Sequence, residues 1–265
     1  MMKRRAFIKT TCAGYPLLAA GRLEASTTKA MPRLMTREDA RYIPVADDTV
    51  VHIGAYGRRV AVECQSELIA LNAANFNPQD FSDWPHYCDA ARHNQQLYLL
   101  DRSHLRIDVF SDSGQWLSDI TLPDGIQSPR ELGFFGDKLW LLDISTQAIW
   151  QSDCDHCFSP LIEGLSAPLS VAVVAEQFHI LEQGLLQISV WNDSGVKQGS
   201  YGKRVLTDGV YSISASNNNV WVLDRFQQRI LHYQQGKYMA GLSLSTTAGL
   251  SYLATDNNGD LWVTV

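Results

Sequence analysis

One short phrase returns along the sequence at a nearly constant spacing, and this repeat limits the possible folds more than any other feature. Residues 97–101 read Leu-Tyr-Leu-Leu-Asp, an apolar run that ends in an acid. Related apolar runs follow at residues 139–143, 178–182, 220–224 and 261–265, in steps of 39 to 42 residues. Alternating segments and Asp-Ser-Gly or Gln-Gly turns come after them. A period of roughly 40 to 45 residues made of short strands predicts a β-propeller with one four-stranded blade per repeat.

The spacing also predicts the number of blades and how the ring closes. Second strands near residues 60, 97, 139, 178, 220 and 261 predict six blades, and thus a single all-β domain over residues 31–265. In the first blade, residues 51–55 are expected to be the first strand and residues 59–63 the second. The last blade would hold two inner strands, so an N-terminal strand should close the ring, with residues 40–45 the best candidate. A five-bladed ring with a frayed end is the alternative.

The repeat unit resembles the NHL repeat, which reads approximately Pro-x-Gly-Ile-Ala-Val-Asp, a turn, Val-Tyr-Val-Ala-Asp and then Arg-Ile-x-x-Phe. The resemblance covers most of residues 50–265 and is clearest at residues 97–114 and 220–236. The family's opening-strand glycine is replaced here by Tyr87, Glu131, Ser170, Ser212 or Tyr252. The resemblance implies a six-bladed propeller but no particular activity, because propellers carry many unrelated functions.

Residues 1–30 stand outside the repeat and have the features of an export signal with a linker. A basic segment containing Arg4 and Arg5 precedes a short, mildly apolar stretch and small residues suited to cleavage. The arginine pair followed by Ala-Phe-Ile-Lys resembles the twin-arginine (Tat) motif, which implies a periplasmic protein that is exported folded. An ordinary basic tail is the alternative. The apolar stretch is too short to span a bilayer, so no membrane anchor is expected after cleavage.

The charge of the chain argues against polyanionic partners. Removing residues 1–25 would change the formal net charge from −6 to about −10. An acidic surface repels phosphates and anionic lipid head groups, so nucleic acids and membrane surfaces are poor candidates.

No nucleophile elbow, zinc-binding helix, phosphate loop or dinucleotide fingerprint occurs in the sequence, and no cofactor is expected. The acids that end the second strands could form a ring of ligands, but a structural role is favoured. Two of them, Asp101 and Asp224, stand five residues before Arg106 and Arg229, a spacing that suits an ion pair across the turn. Asp143 and Glu182 occupy the same place in their repeats.

Cys154 and Cys157 form a Cys-x-x-Cys pair in a predicted turn between the third and fourth strands of one blade. Four cysteines remain in the mature chain, and an oxidising periplasm permits disulfides. A local disulfide is predicted, and two thiols or a metal or redox pair are the alternatives.

Polar and aromatic residues are predicted to meet at one mouth of the central channel. Alignment of the first strands on their apolar centres brings together His52, Tyr87, Glu131, Ser170, Ser212 and Tyr252, with His86, Arg130 and Tyr211 one step nearer the mouth. Convergent groups of this kind are the usual pattern of a ligand site. The predicted site comprises His52, His86, Tyr87, Arg130, Glu131, Tyr211 and Tyr252, and solvated channel residues without a ligand are the alternative.

These features favour a periplasmic binding or scaffold protein that holds a protein partner or a small ligand. The resemblance to a Tat signal implies an accessory of a periplasmic redox complex. The alternative is a propeller hydrolase, lactonase or lyase with a metal in the channel.

Overall fold

The protein is an all-β, six-bladed propeller. The computed structural model describes residues 34–37, 40–46, 49–54, 60–64, 67–71, 85–153, 156–244, 252–255 and 259–264. Their strands form six sheets, and the first strands of all six line one central cavity. None of the described residues form a helix long and apolar enough to cross a membrane.

Among the described residues, five blades are antiparallel sheets of four strands in sequence order, and the sixth has three strands. Blade 6 contains β1 (Leu34–Arg37) from the beginning of the chain. Blade 1 contains β2 (Ala40–Ala46), β3 (Thr49–Gly54), β4 (Val60–Cys64) and β5 (Glu67–Leu71). Blade 2 contains β6 (Tyr87–His93), β7 (Gln96–Asp101), β8 (Arg106–Ser111) and β9 (Trp116–Thr121).

The remaining strands continue in the same order. Blade 3 contains β10 (Pro129–Phe135), β11 (Lys138–Asp143), β12 (Ala148–Ser152) and β13 (Phe158–Ile162). Blade 4 contains β14 (Pro168–Val174), β15 (Gln177–Glu182), β16 (Gln187–Asn192) and β17 (Lys197–Tyr201). Blade 5 contains β18 (Val210–Ser216), β19 (Asn219–Asp224), β20 (Arg229–Gln234) and β21 (Lys237–Ser243). Blade 6 is completed by β22 (Tyr252–Thr255) and β23 (Leu261–Thr264).

The ring is closed by the N-terminal strand β1, as predicted. β1 pairs in parallel with β23, with Leu34 opposite Leu261 and Arg37 opposite Thr264, whereas all other described strand pairs are antiparallel. The direction of β1 explains the difference. β1 leads into β2, the first strand of the next blade, and therefore runs in the direction of a fourth strand. In these blades the fourth strand is parallel to the second strand, so β1 pairs in parallel with β23.

The predicted order of strands in the first blade is wrong by one strand. Residues 40–46 form the innermost strand, which pairs with β3, and do not close the ring. Residues 49–54, expected as a first strand, form the second, and the segment near residue 60 is the third. Pro44 nevertheless lies on an edge strand, as predicted. The innermost strand of a blade has one edge open to the channel, where a backbone hydrogen-bond donor can be absent.

The second strands are the most buried elements of the ring. In β7, β11, β15 and β19, every residue after the first is buried, whereas the fourth strands of blades 2, 4 and 5 are largely exposed. Leu97 and Leu99 pack toward blade 1, and Leu100 packs toward blade 3. A strand buried on both faces reads as a continuous apolar run, which is why these segments stand out in the sequence.

Neighbouring blades are joined near the channel by a hydrogen bond that repeats around the ring. In blades 2 to 5, a side chain in the first strand accepts the backbone N–H of the next first strand. The pairs are Asp89 with Leu132 (2.9 Å), Glu131 with Val171 (2.8 Å), Ser170 with Ile213 (3.1 Å) and Ser212 with Leu253 (3.3 Å). The bonds satisfy backbone donors on the channel edge, where no further strand can pair.

Candidate functional site

The end of the ring where first strands begin and second strands end is called here the mouth face, and the opposite end is called the far face. Turns between second and third strands lie on the mouth face, as do the segments that connect one blade to the next. Hairpins between first and second strands and between third and fourth strands lie on the far face. A propeller can therefore carry two chemically different surfaces on one rigid ring.

Under the mouth face, the acids at the ends of the second strands hold the turns in place. Asp101, Asp143, Glu182 and Asp224 are all almost fully buried. Asp143 accepts the backbone N–H groups of Ser128 (2.7 Å) and Ser145 (3.3 Å) and the hydroxyl of Thr146 (2.8 Å). Asp101, Asp143 and Asp224 therefore tie the segment before a first strand to the turn after the second strand, and Glu182 ties that segment to the start of the third strand.

Two of these acids also pair with arginine, as their spacing predicted. Arg229 Nε lies 3.2 Å from Asp224 Oδ2, and Arg106 Nε lies 3.6 Å from Asp101 Oδ2. Burial by itself raises the pKa of Asp101, but hydrogen bonds from His86, His104 and Ser103 outweigh it and lower the pKa below the ordinary value. These contacts support the structural role of the acids.

Each complete first strand from blade 2 to blade 5 has a β-bulge at its second residue. The pairing with the second strand skips from Pro129 to Glu131 and from Val210 to Ser212, so Arg130 and Tyr211 have no partner in the register. Cys88 and Leu169 occupy the same position in blades 2 and 4. A bulge redirects the side chain of the extra residue, and it does so here beside the mouth of the channel.

The bulge positions correct the predicted alignment of blade 2 by two residues. Asp89, and not Tyr87, is equivalent to Glu131. The Tyr87 side chain is buried and its hydroxyl donates a hydrogen bond to the Asp108 carboxylate, so it does not line the mouth. Burial, with Asp108 beside it, raises the pKa of Tyr87. His86 is exposed in the preceding connection, where its backbone N–H donates to Asp101.

The first blade needs a larger correction. His52 lies on the second strand, opposite Tyr42 of β2 and Ala61 of β4, and is half-buried. It is therefore not on a first strand and does not share the level of the other predicted mouth residues. The predicted meeting of His52 and His86 at the mouth does not occur.

The channel contains a cavity of about 200 Å³ that is lined by both apolar and polar residues. Of the predicted site residues, Glu131 and Tyr252 lie in its wall, together with Asp89, which the alignment missed. Both carboxylates accept backbone N–H groups of the next blade. Within the described part of the chain, no group of three His, Cys, Asp or Glu residues is arranged to hold a metal ion.

Two arginines from different blades meet over one tyrosine ring on the mouth face. The guanidinium carbon of Arg130 lies 4.8 Å from the centre of the Tyr211 ring, and that of Arg225 lies 4.3 Å from it. Arg130 belongs to blade 3 and Tyr211 to blade 5, so this contact joins two blades that have blade 4 between them. Arg225 also lies 5.6 Å from the centre of the Phe226 ring, which is 67% exposed. Arg130, Tyr211, Arg225 and Phe226 are called the mouth cluster.

The turn that carries Arg225 and Phe226 is fixed closely against the preceding connection. Arg225 N–H donates to the Gly209 carbonyl at 3.0 Å. A Cβ atom on Gly209 would lie 2.5 Å from Asp224 Oδ1 and 2.7 Å from Phe226 Cβ, so glycine is required for this approach. Sequence reasoning found Arg130 and Tyr211 but missed Arg225 and Phe226. Their position directly after the acid of a second strand was the available indication.

The predicted disulfide stays a prediction. Cys157 is exposed directly before β13, in the turn between the third and fourth strands, as expected. Its backbone N–H donates to the Asp153 carboxylate at 2.9 Å. Cys154 lies outside the described residues, as do Arg4 and Arg5.

Comparisons with solved structures support the fold. A gluconolactonase from Xanthomonas campestris superposes with a TM-score of 0.66 at 15% identity, covering 86% of this chain and 84% of that one. A streptogramin B lyase gives a TM-score of 0.65 at 13% identity, covering 84% and 74%. YCF48 bound to a D1 peptide gives 0.60 at 11% identity, covering 84% and 74%. The sequence matches no protein-family model and no curated protein. At these identities the likeness shows the fold alone, which enzymes and a peptide-bound protein share.

Proposed function

We propose that the protein is an exported periplasmic binding or scaffold protein that holds its partner on the mouth face. The observation that carries this proposal is the mouth cluster, in which half-buried Arg130, exposed Arg225 and an exposed aromatic ring converge beside the channel opening. Arginine and aromatic residues are enriched among the residues that dominate binding energy at protein interfaces.

The location in the periplasm rests on the resemblance of the N-terminal segment to a Tat signal. That route exports folded proteins, among them respiratory enzymes and their associates, so an accessory role beside a periplasmic redox complex is part of the proposal. A rigid propeller suits such a role, because its turns present side chains at fixed positions without the entropy cost of ordering a flexible surface.

The experiment is site-specific photocrosslinking in the native host. A photoreactive phenylalanine analogue replaces Phe226 on the mouth face or, as the matched control, Met239, which is 53% exposed on the outer strand β21. We expect a defined protein adduct from position 226 and none from position 239. Adducts from position 239 alone would place binding on the outer side of the ring, and no adduct from either position would contradict the proposal.

An enzyme acting in the channel is the second candidate. The observation in its favour is the cavity of about 200 Å³ with Asp89 and Glu131 in its wall. Because both carboxylates also accept backbone hydrogen bonds that join neighbouring blades, alanine variants would disturb the ring as well as any chemistry. Turnover of lactone or cyclic ester substrates by the purified protein, lost on Glu131→Gln with the melting temperature retained, would favour this candidate.

A further inference from the structure

We infer that the mouth cluster binds an acidic peptide segment of a partner protein, with Arg130 and Arg225 pairing with carboxylates and Phe226 packing against an adjacent apolar side chain. This inference rests on the proposed function and names the chemistry of the partner. It follows from three features of the cluster: the placement of its two cations, the accessible charge of the surrounding face, and the exposed ring beside them.

The two cations lie close together with no described acid between them. Both guanidinium groups contact the Tyr211 ring, so their centres are no farther apart than the sum of the two ring distances. Within the described residues, neither arginine has a carboxylate within 4.0 Å. By contrast, Arg106 of blade 2 and Arg229 of blade 5 each pair with a carboxylate. Two like charges within this distance repel each other, and carboxylates that pair with them relieve the repulsion.

The tyrosine ring prepares both arginines for binding. A guanidinium held over an aromatic face is attracted by the ring quadrupole and loses fewer conformations when a ligand arrives. The planar fork of arginine can then donate two parallel hydrogen bonds to one carboxylate. The bulge that directs Arg130 across the neighbouring blade thus supplies half of a preformed anion site.

Accessible charge on the two faces differs in the direction that an acidic partner requires. On the described mouth face, five cationic side chains outnumber three acids, not counting the buried acids and their paired arginines. The cations are Arg102, Arg130, Lys203, Arg204 and Arg225, and the acids are Asp124, Glu163 and Asp208. The described far face has four cations and six acids: Arg92, Lys138, Lys197 and Lys237, and Asp112, Asp137, Asp153, Glu176, Asp193 and Asp260. A cationic face on an acidic protein orients an approaching acidic segment toward the mouth.

An apolar contact accompanies the charges. Phe226 is 67% exposed, and Leu185, at the third position of the corresponding turn in blade 4, is 44% exposed. An exposed ring beside cations suits a segment in which acidic and apolar side chains lie close together, and a small inorganic anion would leave it uncovered. A peptide segment is therefore favoured as the occupant.

The test measures binding of two synthetic peptides that differ only in charge. The probes are acetyl-Gly-Glu-Phe-Glu-Gly-amide and the same peptide with glutamine in place of both glutamates, titrated into the full chain by calorimetry. We expect the acidic peptide to bind at least tenfold more tightly at low salt, with the preference reduced as the salt concentration rises. Equal affinity of the two peptides would overturn the inference.

Variants test whether the cluster itself is responsible. The double variant Arg130→Gln with Arg225→Gln should lose the preference, with the melting temperature retained because neither side chain is fully buried or paired with a described carboxylate. Arg102→Gln is the matched control, since Arg102 occupies the position of Arg225 in blade 2 but donates to Ser128 at 2.8 Å. It should weaken binding less than threefold. Equal losses in the control and the double variant would assign binding to the general charge of the face and overturn the inference.

Two further outcomes separate this inference from the proposed function. If N-acetylglutamate binds as tightly as the acidic peptide, the site takes a free small carboxylate, and the assignment to a peptide is wrong. If photocrosslinks form at position 226 but neither peptide binds, the protein still acts as a binding protein and only the inferred partner chemistry fails.

Discussion

Asp224 is the residue through which blade 5 holds the turn that carries Arg225 and Phe226 of the mouth cluster. It is fully buried and accepts hydrogen bonds from the Thr207 hydroxyl (3.0 Å) and the Gln227 backbone N–H (3.1 Å), besides its pairing with Arg229. We expect Asp224→Asn to lower the free energy of unfolding by about 2 kcal/mol or more, because it leaves a half-buried arginine without its counter-charge.

Urea unfolding checks this expectation, with Asp208→Asn as the control. Asp208 is exposed in the adjacent connection, and the contact it makes with Gln183 uses its backbone carbonyl, which the substitution keeps. The control should change stability by less than about 0.5 kcal/mol. Equal stability of the two variants would show that the buried network contributes little.

His179 provides a pH dependence that can be isolated. The side chain is 9% exposed, its Nδ1 lies 2.9 Å from the Tyr201 hydroxyl, and burial lowers its pKa to about 4. The unfolded chain takes up this proton near pH 6.5, whereas the folded protein resists it. The contribution of neutral His179 to the free energy of unfolding is therefore complete above pH 6.5. This contribution is lost as the pH falls toward 4, by at most about 3 kcal/mol.

The variant His179→Gln removes this titration and should show a flatter loss of stability between pH 6.5 and 4.5. Unfolding midpoints at pH 7.0, 5.5 and 4.5 measure it, and carboxylates that titrate in both proteins cancel in the difference. His156→Gln, at an exposed position, should follow the wild type. A parallel decline of wild type and His179→Gln would contradict the expectation.

At the scale of elements, the strand β1 decides how firmly the ring is closed. It contributes four residues of parallel pairing to β23. A chain that begins at residue 40 should retain five complete blades but leave the edge of β23 without its described partner. We expect the melting temperature to fall by roughly 4 to 8 °C, as a loss of about 2 kcal/mol does in a chain of this size.

The matched control replaces residues 34–37 by an alternating segment of serine and threonine, which keeps the length and the capacity to pair. This variant should melt between the wild type and the truncated chain. An unchanged melting temperature of the truncated chain would mean that the closing strand contributes nothing to stability.

The repeat could be predicted from sequence because the second strands are buried on both sides and end in an acid with a fixed task. The first blade lacks the terminal acid, because its second strand, Thr49–Gly54, ends in glycine. The sequence pattern therefore predicts this strand as the first of the blade instead of the second. The predicted number of blades is nevertheless correct, because residues 40–46 form the first strand of this blade.

The mouth could be predicted only in part, because bulges change which residue faces the channel. In blade 2, Asp89 and Ala90 are the channel residues, and neither is a large apolar residue that would mark the centre of a strand. Arg130 and Tyr211 were identified as polar residues at the opening. Their meeting across blade 4, and the arrival of Arg225 from a different turn, depend on the curvature of the ring, which no local pattern contains.

At the scale of the whole molecule, the closed ring separates the polar groups that stabilise the fold from those that remain accessible at the mouth. The acids, the second strands and the bonds between first strands use their polar groups inside the fold, whereas the mouth cluster remains accessible on one face. A partner that recognises this face must meet the protein after folding, which agrees with the proposed export of a folded chain.

That export is the last expectation, and it depends on Arg4 and Arg5. Replacing both by lysine keeps the positive charge but removes the arginine pair of the Tat-like motif, so we expect the uncleaved precursor to stay in the cytoplasm. Fractionation and immunoblotting of the native host measure this, and Arg22→Lys, the same substitution outside the pair, should export normally. Undiminished export of the double variant, or export that requires the route for unfolded chains, would contradict the assignment and remove the periplasm from the proposed function.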